Sequence, residues 1–425
     1  MTHYPPAAWE RAMKMQEVML RAASGEITWI RAADILGISP RSLRRWKRRF
    51  DTHGYEGLLD HRTGRPSPRR APFDEVQRIL RLYRETYLGF NVRHFHQIAQ
   101  QDHGVTLSYT FVKEALQGAG LVRKRKKRGC HRKYREPRAC FGEMLLVDGS
   151  EHAWLAHATD DKQVLIAVVD DATKYLFYAQ LWPAETTWAV MWALFEVVST
   201  HGIPMALYTD RASWAWHTPK GSRKVDKDRL TQIGRVLARL GVEHIPSYSP
   251  QARGRSERLN RTLQDRLINE LRLHQIKTAD EANQYLRDVF IPDYNERFTR
   301  SARDPHNVFV KATGVNLDRI FCIENKRTVA KDNTVVLDGV QMQLKKQPGR
   351  TTCAGLRVKV LQHLNGFYTV WHGFQLMGCF DLVGKPVNKK VWRMAKTPRR
   401  AKPSAPFPPP PHALEVNQPC GHFTC

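Results

Sequence analysis

The sequence predicts a multidomain protein with all-α helix-turn-helix units first, a central α/β core, and a small C-terminal β-barrel. Three observations predict this class. Helical apolar spacing dominates the first 122 residues, strands and helices follow each other as βββαβαβα between 141 and 275, and short alternating strands recur from 321. The order of elements in the core predicts a mixed sheet flanked by helices.

The charge balance points to a polyanionic partner. Lys and Arg number 68 against 41 Asp and Glu, a formal net charge of +27. Such an excess favours nucleic acid over an anionic membrane or a merely soluble basic surface. No apolar run approaches the roughly 18 residues that span a bilayer, and seven scattered cysteines do not indicate a disulfide framework. We therefore expect a cytosolic protein that binds nucleic acid and no membrane.

Changes in composition set the expected domain boundaries. Proline, glycine and arginine mark linkers, and a proline-rich basic stretch marks the end of the chain. In order, we expect a helix-turn-helix DNA-binding domain at 8–60, a linker at 61–72, a second helical DNA-binding domain at 73–122, a basic linker at 123–140, the α/β core at 141–275, a helical connector at 276–320, the small β-barrel at 321–383 and a flexible tail at 384–425.

The stretch AADILGISPRSLRRWKRRF (32–50) predicts a helix-turn-helix. A helix ends at Gly37, Ser39 caps the next helix, and Pro40 takes its first position. The apolar positions between the two helices are Ala33, Ile35, Leu36, Ile38, Leu43 and Trp46. The residues expected to face outward, toward a major groove, are Arg41, Ser42, Arg44, Arg45 and Lys47. An ordinary helical hairpin with a solvated basic face is the alternative.

Two further stretches before the core are expected to contact DNA. VTLSYTFVKEALQGAGL places Ser108 as the cap of a second recognition helix, with plain three-helix packing as the alternative. RKRKKRGCHRKYREPR (123–138) holds ten Lys or Arg and a single acid, and such a block stays extended until a polyanion neutralises it. Its expected phosphate contacts are Arg123, Lys124, Arg125, Lys126, Lys127 and Arg128.

Three carboxylates of the core stand at the ends of elements. Asp148 follows the strand MLLV, Asp210 ends the strand MALYT, and Glu257 lies near the start of a helix at 254–273. The first and fourth strands of this sheet are neighbours, so the aspartates should be adjacent and the helix can bring in the glutamate. Three gathered carboxylates need cations. Oxygen ligands suit Mg²⁺ or Mn²⁺, and two such ions support an in-line displacement at phosphorus.

The phase of the 254–273 helix supports this placement. Its buried stripe is expected to be Leu259, Leu263, Leu267 and Leu271. Glu257 points about 200° away from Leu259, at roughly 100° per residue, and Asn260, Arg261 and Gln264 share its side. The arginines expected to contact phosphates around this acid are Arg253, Arg255, Arg258 and Arg261.

VDGSEHAW, LYTDRASW and SPQARGRSERLNRTLQDRL resemble the three motifs of DDE transposases of bacterial insertion sequences, which share the retroviral integrase catalytic core. The N-terminal helix-turn-helix region and the β-rich C-terminal region resemble those of the ISNCY type of insertion sequence. The resemblance covers roughly residues 10 to 380. It implies an RNase H-like fold and a polynucleotidyl transferase that uses a divalent metal for 3′-end cleavage and then strand transfer. Carried over by residue, the catalytic and metal-binding triad is Asp148, Asp210 and Glu257.

The expected cofactor is therefore Mg²⁺ or Mn²⁺, as two ions. The expected partners are double-stranded DNA, as element terminal inverted repeats and as target, and further copies of the chain, at least a dimer on DNA. The expected location is the bacterial cytoplasm, at the nucleoid. A catalytically silent DNA-binding regulator and an RNase H-like nuclease without strand transfer are the alternatives.

Two departures from the family pattern concern the core and the N-terminus. Between Asp210 and Glu257 lie 46 residues, more than the usual integrase spacing. The extra length falls at 213–230, which either grips DNA, with Trp214 or Trp216 stacking on an unpaired base, or is a tolerated surface insertion. No His-His-Cys-Cys module precedes the core, so no structural zinc is expected.

Competing acids are expected to be structural or solvated. Asp170 and Asp171 stand in a tight DDATK turn, where aspartate is favoured for turn chemistry. Glu151, Asp160 and Asp161 are expected to be exposed loop charges. Glu270 lies three turns beyond the predicted site on the same helix and is expected to be solvated.

Overall fold

The computed structural model describes residues 6–59, 71–124, 136–159, 161–219, 224–248, 254, 256–388 and 392. The chain divides into two compact units, Met1–Arg78 and Ile79–Cys425. No helix in the described ranges is long and apolar enough to cross a membrane. The 61–70 part of the first predicted linker, 125–135 of the basic linker and almost all of the tail from 389 lie outside the described residues.

The first unit contains the predicted helix-turn-helix. Thr28 caps its first helix, and Gly37 ends it in the left-handed conformation at φ 63°. The Ser39 side chain then accepts a hydrogen bond from the Ser42 amide, with Pro40 at the first helical position. The elements are α1 (Pro6–Ala23), α2 (Trp29–Leu36), α3 (Pro40–His53) and a 3₁₀ turn (Gly54–Leu58).

The core of this unit is small and lies between the three helices. Leu43 on α3 and Ala32 and Ala33 on α2 are fully buried, together with apolar residues of α1. The prediction for Ile35 was wrong, because its side chain is 42% exposed. The buried face of α2 runs through Ala32, Ala33 and Leu36, and at roughly 100° per residue Ile35 falls outside it.

A second helical module precedes the α/β core. Ser108 caps its last helix by accepting from the Phe111 amide, as the sequence predicts. Its own cluster of buried residues includes Tyr83, Phe95 and Leu116. The elements are α4 (Phe73–Glu85), α5 (Val92–His103) and α6 (Tyr109–Gly118).

The α/β core has the predicted order of elements and a mixed five-stranded sheet. The strands run β4-β3-β2-β5-β6, with β2, β3 and β4 antiparallel and β2, β5 and β6 parallel. The first and fourth core strands, β2 and β5, are neighbours, as expected. In chain order the elements are β1 (Cys140–Phe141), β2 (Met144–His152), β3 (Gln163–Asp170), β4 (Leu176–Trp182), α7 (Thr187–His201), β5 (Ala206–Thr209), α8 (Gln232–Leu240), β6 (Glu243–Pro246) and α9 (Ser256–Leu273).

The two faces of this sheet have separate cores. Leu145 and Val147 of β2 pack with residues of α7 and α8, whereas Met144 and Leu146 pack with α9 on the other face. The predicted stripe of α9 is confirmed, since all four of its leucines are buried in the second cluster: Leu259, Leu263, Leu267 and Leu271. Because side chains alternate along a strand, Asp148 belongs to the α9 face.

The C-terminal region is an open sheet, so the predicted closed barrel was wrong. Four antiparallel strands run β13-β12-β11-β8, and β9 pairs only with β10 in a separate hairpin. Closure requires the edge strands to pair, and β8 and β13 are not hydrogen-bonded to each other. The strands are β8 (Cys322–Thr328), β9 (Thr334–Leu337), β10 (Val340–Gln343), β11 (Arg357–His363), β12 (Tyr368–His372) and β13 (Gln375–Phe380).

Between the core and this sheet the chain is mostly helical. A π-helical stretch, Leu286–Phe290, joins two of the helices. Strand β7 pairs in parallel with β1 as a small separate sheet. The elements are α10 (Ala279–Tyr285), α11 (Ile291–Phe298), β7 (Asp304–Asn307) and α12 (Leu317–Ile320).

Candidate active site

Two of the predicted carboxylates lie just beyond the paired part of β2 and β5. The parallel pairing of these strands ends at Leu146 and Tyr208. Asp148 lies two residues further along β2, and Asp210 directly follows Thr209, the last residue of β5. Side chains two apart on a strand share a face, so Asp148 is on the α9 side of the sheet together with Leu146. Asp148 is 9% exposed and Asp210 is half-buried.

Helix α9 contacts β2 through polar side chains as well as through its leucines. The Asn260 amide nitrogen donates to Asp148 Oδ2 at 3.0 Å, and Gln264 Nε2 donates to the Ser150 hydroxyl at 3.0 Å. Asp210 Oδ1 accepts from the Ala212 amide at 3.0 Å. Asn260 and Gln264, which helical phase groups with Glu257 and Arg261, therefore contact the strand of Asp148, whereas Glu257 and Arg261 are exposed.

Glu257 lies in the first turn of α9, one turn before Asn260, and its side chain is exposed. A carboxylate there interacts favourably with the amino end of the helix dipole. Within the described residues no group of three or more His, Cys, Asp or Glu side chains is arranged to hold a metal ion. Asp148 and Asp210 thus lie two residues beyond the last paired residues of β2 and β5, and Glu257 is not part of a formed cluster with them.

The side-chain oxygens near the aspartates are of the kind that binds a hard divalent cation. Asn260 Oδ1 is buried and has no hydrogen-bond partner among the described residues, although its nitrogen contacts Asp148. Carboxylate and amide oxygens are the ligands that Mg²⁺ and Mn²⁺ accept. The aspartates and Asn260 could supply such oxygen ligands. The Glu257 carboxylate would have to move toward them to bind the same ion.

The opposite face of β2 holds a fourth carboxylate that sequence reasoning missed. A Cβ atom at Gly149 would lie 2.6 Å from Glu185 Cδ, so this carboxylate packs directly on the glycine backbone. Trp214 Nε1 donates to Glu185 Oε1 at 2.9 Å. Glu185 therefore links the strand of Asp148 to the segment that follows Asp210. The glycine next to Asp148 was the available signal, because a strand glycine often marks a close approach.

The two tryptophans after Asp210 are buried, so the expectation that one stacks on an unpaired base was wrong. Trp214 and Trp216 are each 6% exposed. Trp216 Nε1 donates to Thr209 Oγ1 at 3.0 Å, and its ring stacks on His244 with centroids 3.8 Å apart. Burial lowers the pKa of His244 to about 4. These rings hold the end of β5, and residues 220–223 of the insertion lie outside the described chain.

The competing aspartates are structural, as expected. Asp170 is 1% exposed and accepts from the Gly142 amide and from the Thr173 amide and hydroxyl. Asp171 accepts from the Arg138 amide. Burial raises the pKa of Asp170.

The expectation that Glu270 is solvated was wrong. Glu270 is 9% exposed, and its two oxygens lie 2.9 Å from His94 Nε2 on α5 and 3.0 Å from the Tyr285 hydroxyl on α10. The far end of α9 is therefore packed against the second helical module.

The predicted DNA-contacting residues are exposed where the structure describes them, except one. On α3, Ser42 is half-buried, and its hydroxyl accepts from Ser39 Oγ at 2.9 Å. The exposed residues are Arg41, Arg44, Arg45, Lys47, Arg123, Lys124, Arg258 and Arg261. The predicted contacts that lie outside the described residues are Arg125, Lys126, Lys127, Arg128, Arg253 and Arg255.

Comparison with known proteins finds helix-turn-helix families in the helical first part of the chain and transposases over most of its length. The family model described as a helix-turn-helix domain matches residues 16–67, and the model described as a homeodomain-like domain matches residues 42–116. The chain is 30% identical over 370 residues to the transposase y4bF of Sinorhizobium fredii, across 86% of this chain and 80% of that protein. It is 30% identical over 317 residues to the transposase for insertion sequence IS1202 of Streptococcus pneumoniae, across 66% of this chain and 67% of that protein.

Two solved structures of viral integrases are also similar. The HTLV-2 integrase catalytic core domain in complex with magnesium matches 36% of this chain and 90% of its own, at 16% identity and a TM-score of 0.27. A simian T-cell lymphotropic virus intasome in complex with the PP2A regulatory subunit B56 gamma matches 73% and 99%, at 14% identity and a TM-score of 0.31. Both TM-scores are low, so the family assignment depends on the two curated relatives.

Proposed function

This chain belongs to the transposases of bacterial insertion sequences, and from that premise we propose that it cleaves the 3′ ends of its element and joins them to target DNA. The observation that supports the proposal is the parallel pairing of β2 with β5, which ends at Leu146 and Tyr208, two residues before Asp148 and Asp210, together with the hydrogen bond from Asn260 of α9 to Asp148. Adjacent carboxylates in a protein with a net charge of +27 are suited to binding cations at the phosphate of a DNA strand.

Asp148, Asp210 and Glu257 would hold the divalent ions, Mg²⁺ or Mn²⁺. Two such ions about 3.5–4 Å apart supply charge stabilisation for the attacking and leaving oxygens of an in-line displacement. Asn260 orients Asp148 through the 3.0 Å hydrogen bond. Glu257 would enter from the exposed first turn of α9, where a local rearrangement of the side chain does not disturb the buried leucines.

The cationic groups of the chain would hold the DNA on either side of this site. Arg258 and Arg261 are exposed on α9 next to Glu257, and Arg253 and Arg255 precede them in sequence. Helix α3 would read the major groove of the terminal inverted repeats with its exposed basic side. Arg123 to Arg128 would follow phosphates between the second helical module and the core. We propose that at least two copies assemble on DNA.

The test is cleavage and joining of duplexes that carry the ends of the element, with Mg²⁺ present. Asp148→Asn, Asp210→Asn and Glu257→Gln should abolish both steps while leaving binding of the ends intact. Glu151→Gln on β2 and Asp265→Asn on α9 are matched controls that remove a nearby acid, and both should keep activity. Full activity of any triad variant would overturn its assignment.

The same assay separates the two alternatives. Binding of the ends without cleavage under Mg²⁺ or Mn²⁺ would indicate a silent DNA-binding regulator. Cleaved ends that are never joined to target DNA would indicate a nuclease without strand transfer.

A further inference from the structure

A groove of about 490 Å³ lies between the core and one face of the C-terminal sheet. Val358 and Val360 of β11 are buried in the apolar cluster of the C-terminal region. Because side chains alternate along a strand, Lys359 between them points to the opposite face, where it lines the groove. The other cationic and aromatic residues that line the groove are Arg239 of α8, Arg319 of α12, Trp371 of β12 and Phe374 of the turn after β12.

Two lysines stand opposite each other on this face of the sheet. Lys326 of β8 pairs with Lys359 of β11, so their side chains are direct neighbours. Both are exposed, and like charges in directly opposite positions destabilise a sheet unless another group offsets their repulsion. On its other side Lys359 pairs with Trp371. This row of residues therefore presents concentrated positive charge next to an aromatic ring.

The acid at the groove does not neutralise this charge. Among the described residues that line the groove, Glu324 is the only acid, and its side chain is 13% exposed. Its Oε1 contacts Arg239 and lies 3.3 Å from Arg235 Nη1, and its Oε2 lies 3.8 Å from Lys359 Nζ. One carboxylate shared by three cations leaves the groove with an excess of positive charge.

Phe374 projects from the tip of the hairpin that joins β12 to β13. His372 pairs with Gln375, so the turn consists of Gly373 and Phe374 alone. Gly373 adopts φ 55°, the left-handed conformation that such two-residue turns favour. Phe374 is 94% exposed, the largest exposed fraction among the large apolar residues that the structure describes. Folding leaves this ring in water, so a partner that covers it gains apolar contact.

Positive charge beside one projecting apolar ring matches the chemistry of a DNA duplex. Lysine and arginine side chains bind the phosphates, and apolar side chains that insert between base pairs kink a duplex by about 20–90°. Proteins that bind a single strand instead stack successive bases on several aromatic rings. At this groove the Trp371 ring is already covered on one side by Arg319, whose guanidinium carbon lies 4.3 Å from the ring centre. One accessible ring therefore favours a duplex.

We propose that this groove binds duplex DNA and that Phe374 inserts between two base pairs and kinks the duplex. Lys326, Lys359 and Arg319 contact phosphates beside the kink. Phosphate contacts and an inserted ring select DNA by its flexibility rather than by its base sequence. This mode of binding suits target DNA, whereas the ends of the element require a specific sequence. The assignment to target DNA rests on the proposed function, and the binding and the kink depend only on the groove.

The test is energy transfer between two dyes at the ends of a duplex of about 30 base pairs, unrelated in sequence to the element and bound to the full chain. Bending brings the dyes together, so the wild type should increase the transfer. Phe374→Ala should remove most of this increase without changing the salt dependence of binding, because the phosphate contacts remain. Phe374→Leu keeps a side chain that inserts between base pairs, so it should keep the bend.

The matched control for the ring is Val383→Ala, which shortens another exposed apolar side chain of the C-terminal region. It should bend the duplex as the wild type does. Equal bending by the wild type and Phe374→Ala, or an equal loss of bending in Val383→Ala, would overturn the proposal. A thermal melt of each variant verifies that it is folded.

The charges of the groove are tested by the salt dependence of binding. Lys326→Gln combined with Lys359→Gln should decrease the slope of log affinity against log salt by roughly 2, because two phosphate contacts are lost. Lys331→Gln combined with Lys346→Gln removes two exposed charges of the same region that do not line the groove, and it should leave the slope unchanged. Equal slopes in the two double variants would contradict the proposed phosphate contacts.

A second copy of the chain is the other occupant that an exposed ring could have. Sedimentation of the wild type and of Phe374→Ala without DNA detects it. A smaller assembly in Phe374→Ala, together with wild-type bending of the duplex, would assign the ring to a contact between copies and overturn the proposal.

Joining assays keep failure of this proposal distinct from failure of the proposed function. Phe374→Ala should cleave the element ends at the wild-type rate and join them to target DNA about tenfold more slowly, and a target rich in easily kinked TA steps should restore joining. Cleavage and joining by a wild type that does not bend the duplex would reject the kink and keep the transposase activity. Bending that depends on Phe374 in a protein that cuts no DNA would keep the groove and reject the activity.

Discussion

Helices α3 and α9 are both rich in arginine and lie in different surroundings. Helix α3 carries five arginines and one acid, whereas α9 carries four arginines and three acids. Helix α3 buries only Leu43, whereas α9 buries eight residues along its length. The difference shows that arginine content alone does not assign a role to a helix. The exposed side of α3 is suited to docking onto DNA. Helix α9 is packed on several sides, so it is suited to holding a side chain in a fixed position.

Removing the buried acid of α9 is expected to have the largest effect. Glu270→Ala removes the carboxylate that contacts His94 and Tyr285, and each buried polar group that loses this partner costs about 1–3 kcal/mol of unfolding free energy. Denaturant melts measure the loss. The matched change on α3 is Asp51→Ala, which removes the exposed partner of Lys47 and should cost less than about 1 kcal/mol. Equal losses of unfolding free energy in the two variants would contradict the expectation that the acid of α9 stabilises the fold more than the acid of α3.

The pH dependence of stability should come from the sheet that α9 packs on, through His244 of β6. Burial lowers the pKa of His244 to about 4, below its ordinary value of 6.5. Below pH 6.5 the unfolded chain therefore takes up a proton that the folded chain does not, so stability falls as the pH decreases toward 4. The loss reaches about 3 kcal/mol at pH 4. His244→Gln should reduce this slope, and an unchanged slope in the variant would exclude His244 as its source. Unfolding by urea at several pH values measures the slope.

Asn260→Ala tests whether the polar side of α9 acts through Asp148. Because Asn260 holds Asp148 by one hydrogen bond, its loss should lower the cleavage rate by roughly 10- to 100-fold, as for other residues that orient a metal ligand. Affinity for the element ends should remain unchanged, and the Mg²⁺ concentration for half-maximal rate should increase. Asp265→Asn, at a partly buried position on the same helix, should keep the wild-type rate. An unchanged Mg²⁺ dependence in Asn260→Ala would assign this residue a purely structural role.

The smallest effect on the fold is expected on α3. Arg44→Gln combined with Arg45→Gln removes two exposed charges, so stability should change by less than about 0.5 kcal/mol. Binding of the element ends should weaken, and the slope of log affinity against log salt should decrease by roughly 2. Fluorescence anisotropy over a range of salt concentrations measures the slope. An unchanged slope would show that these two arginines do not contact phosphates.

Local periodicity predicted the parts of the molecule that depend on short-range pattern. The leucine stripe of α9 repeats every fourth residue, so its phase correctly assigned the buried face of the helix. The strands of the core are apolar runs with clear ends. The chain order of strands and helices in such a sheet also predicted that the first and fourth core strands, β2 and β5, are neighbours.

Contacts between distant segments could not be read from the sequence. The burial of Glu270 depends on His94, 176 residues earlier in the chain, and the pattern of α9 alone contains no sign of it. Trp214 and Trp216 appeared to be loop residues because nothing local indicated that they fold back under β5. Closure of the C-terminal strands into a barrel depends on whether the two edge strands meet, which alternation along each strand does not determine.

The parallel pairing of β2 and β5 has a consequence for how this chain can vary. Neighbouring strands are held about 4.8 Å apart by backbone hydrogen bonds whatever their side chains. The positions of Leu146 and Tyr208, two residues before Asp148 and Asp210, are thus set by the main chain rather than by a particular packing of the core. Exchanges of apolar residues around the sheet for others of similar size should therefore preserve this pairing. Sequences with this architecture can then diverge widely in the core while the strand ends that carry the two aspartates stay side by side.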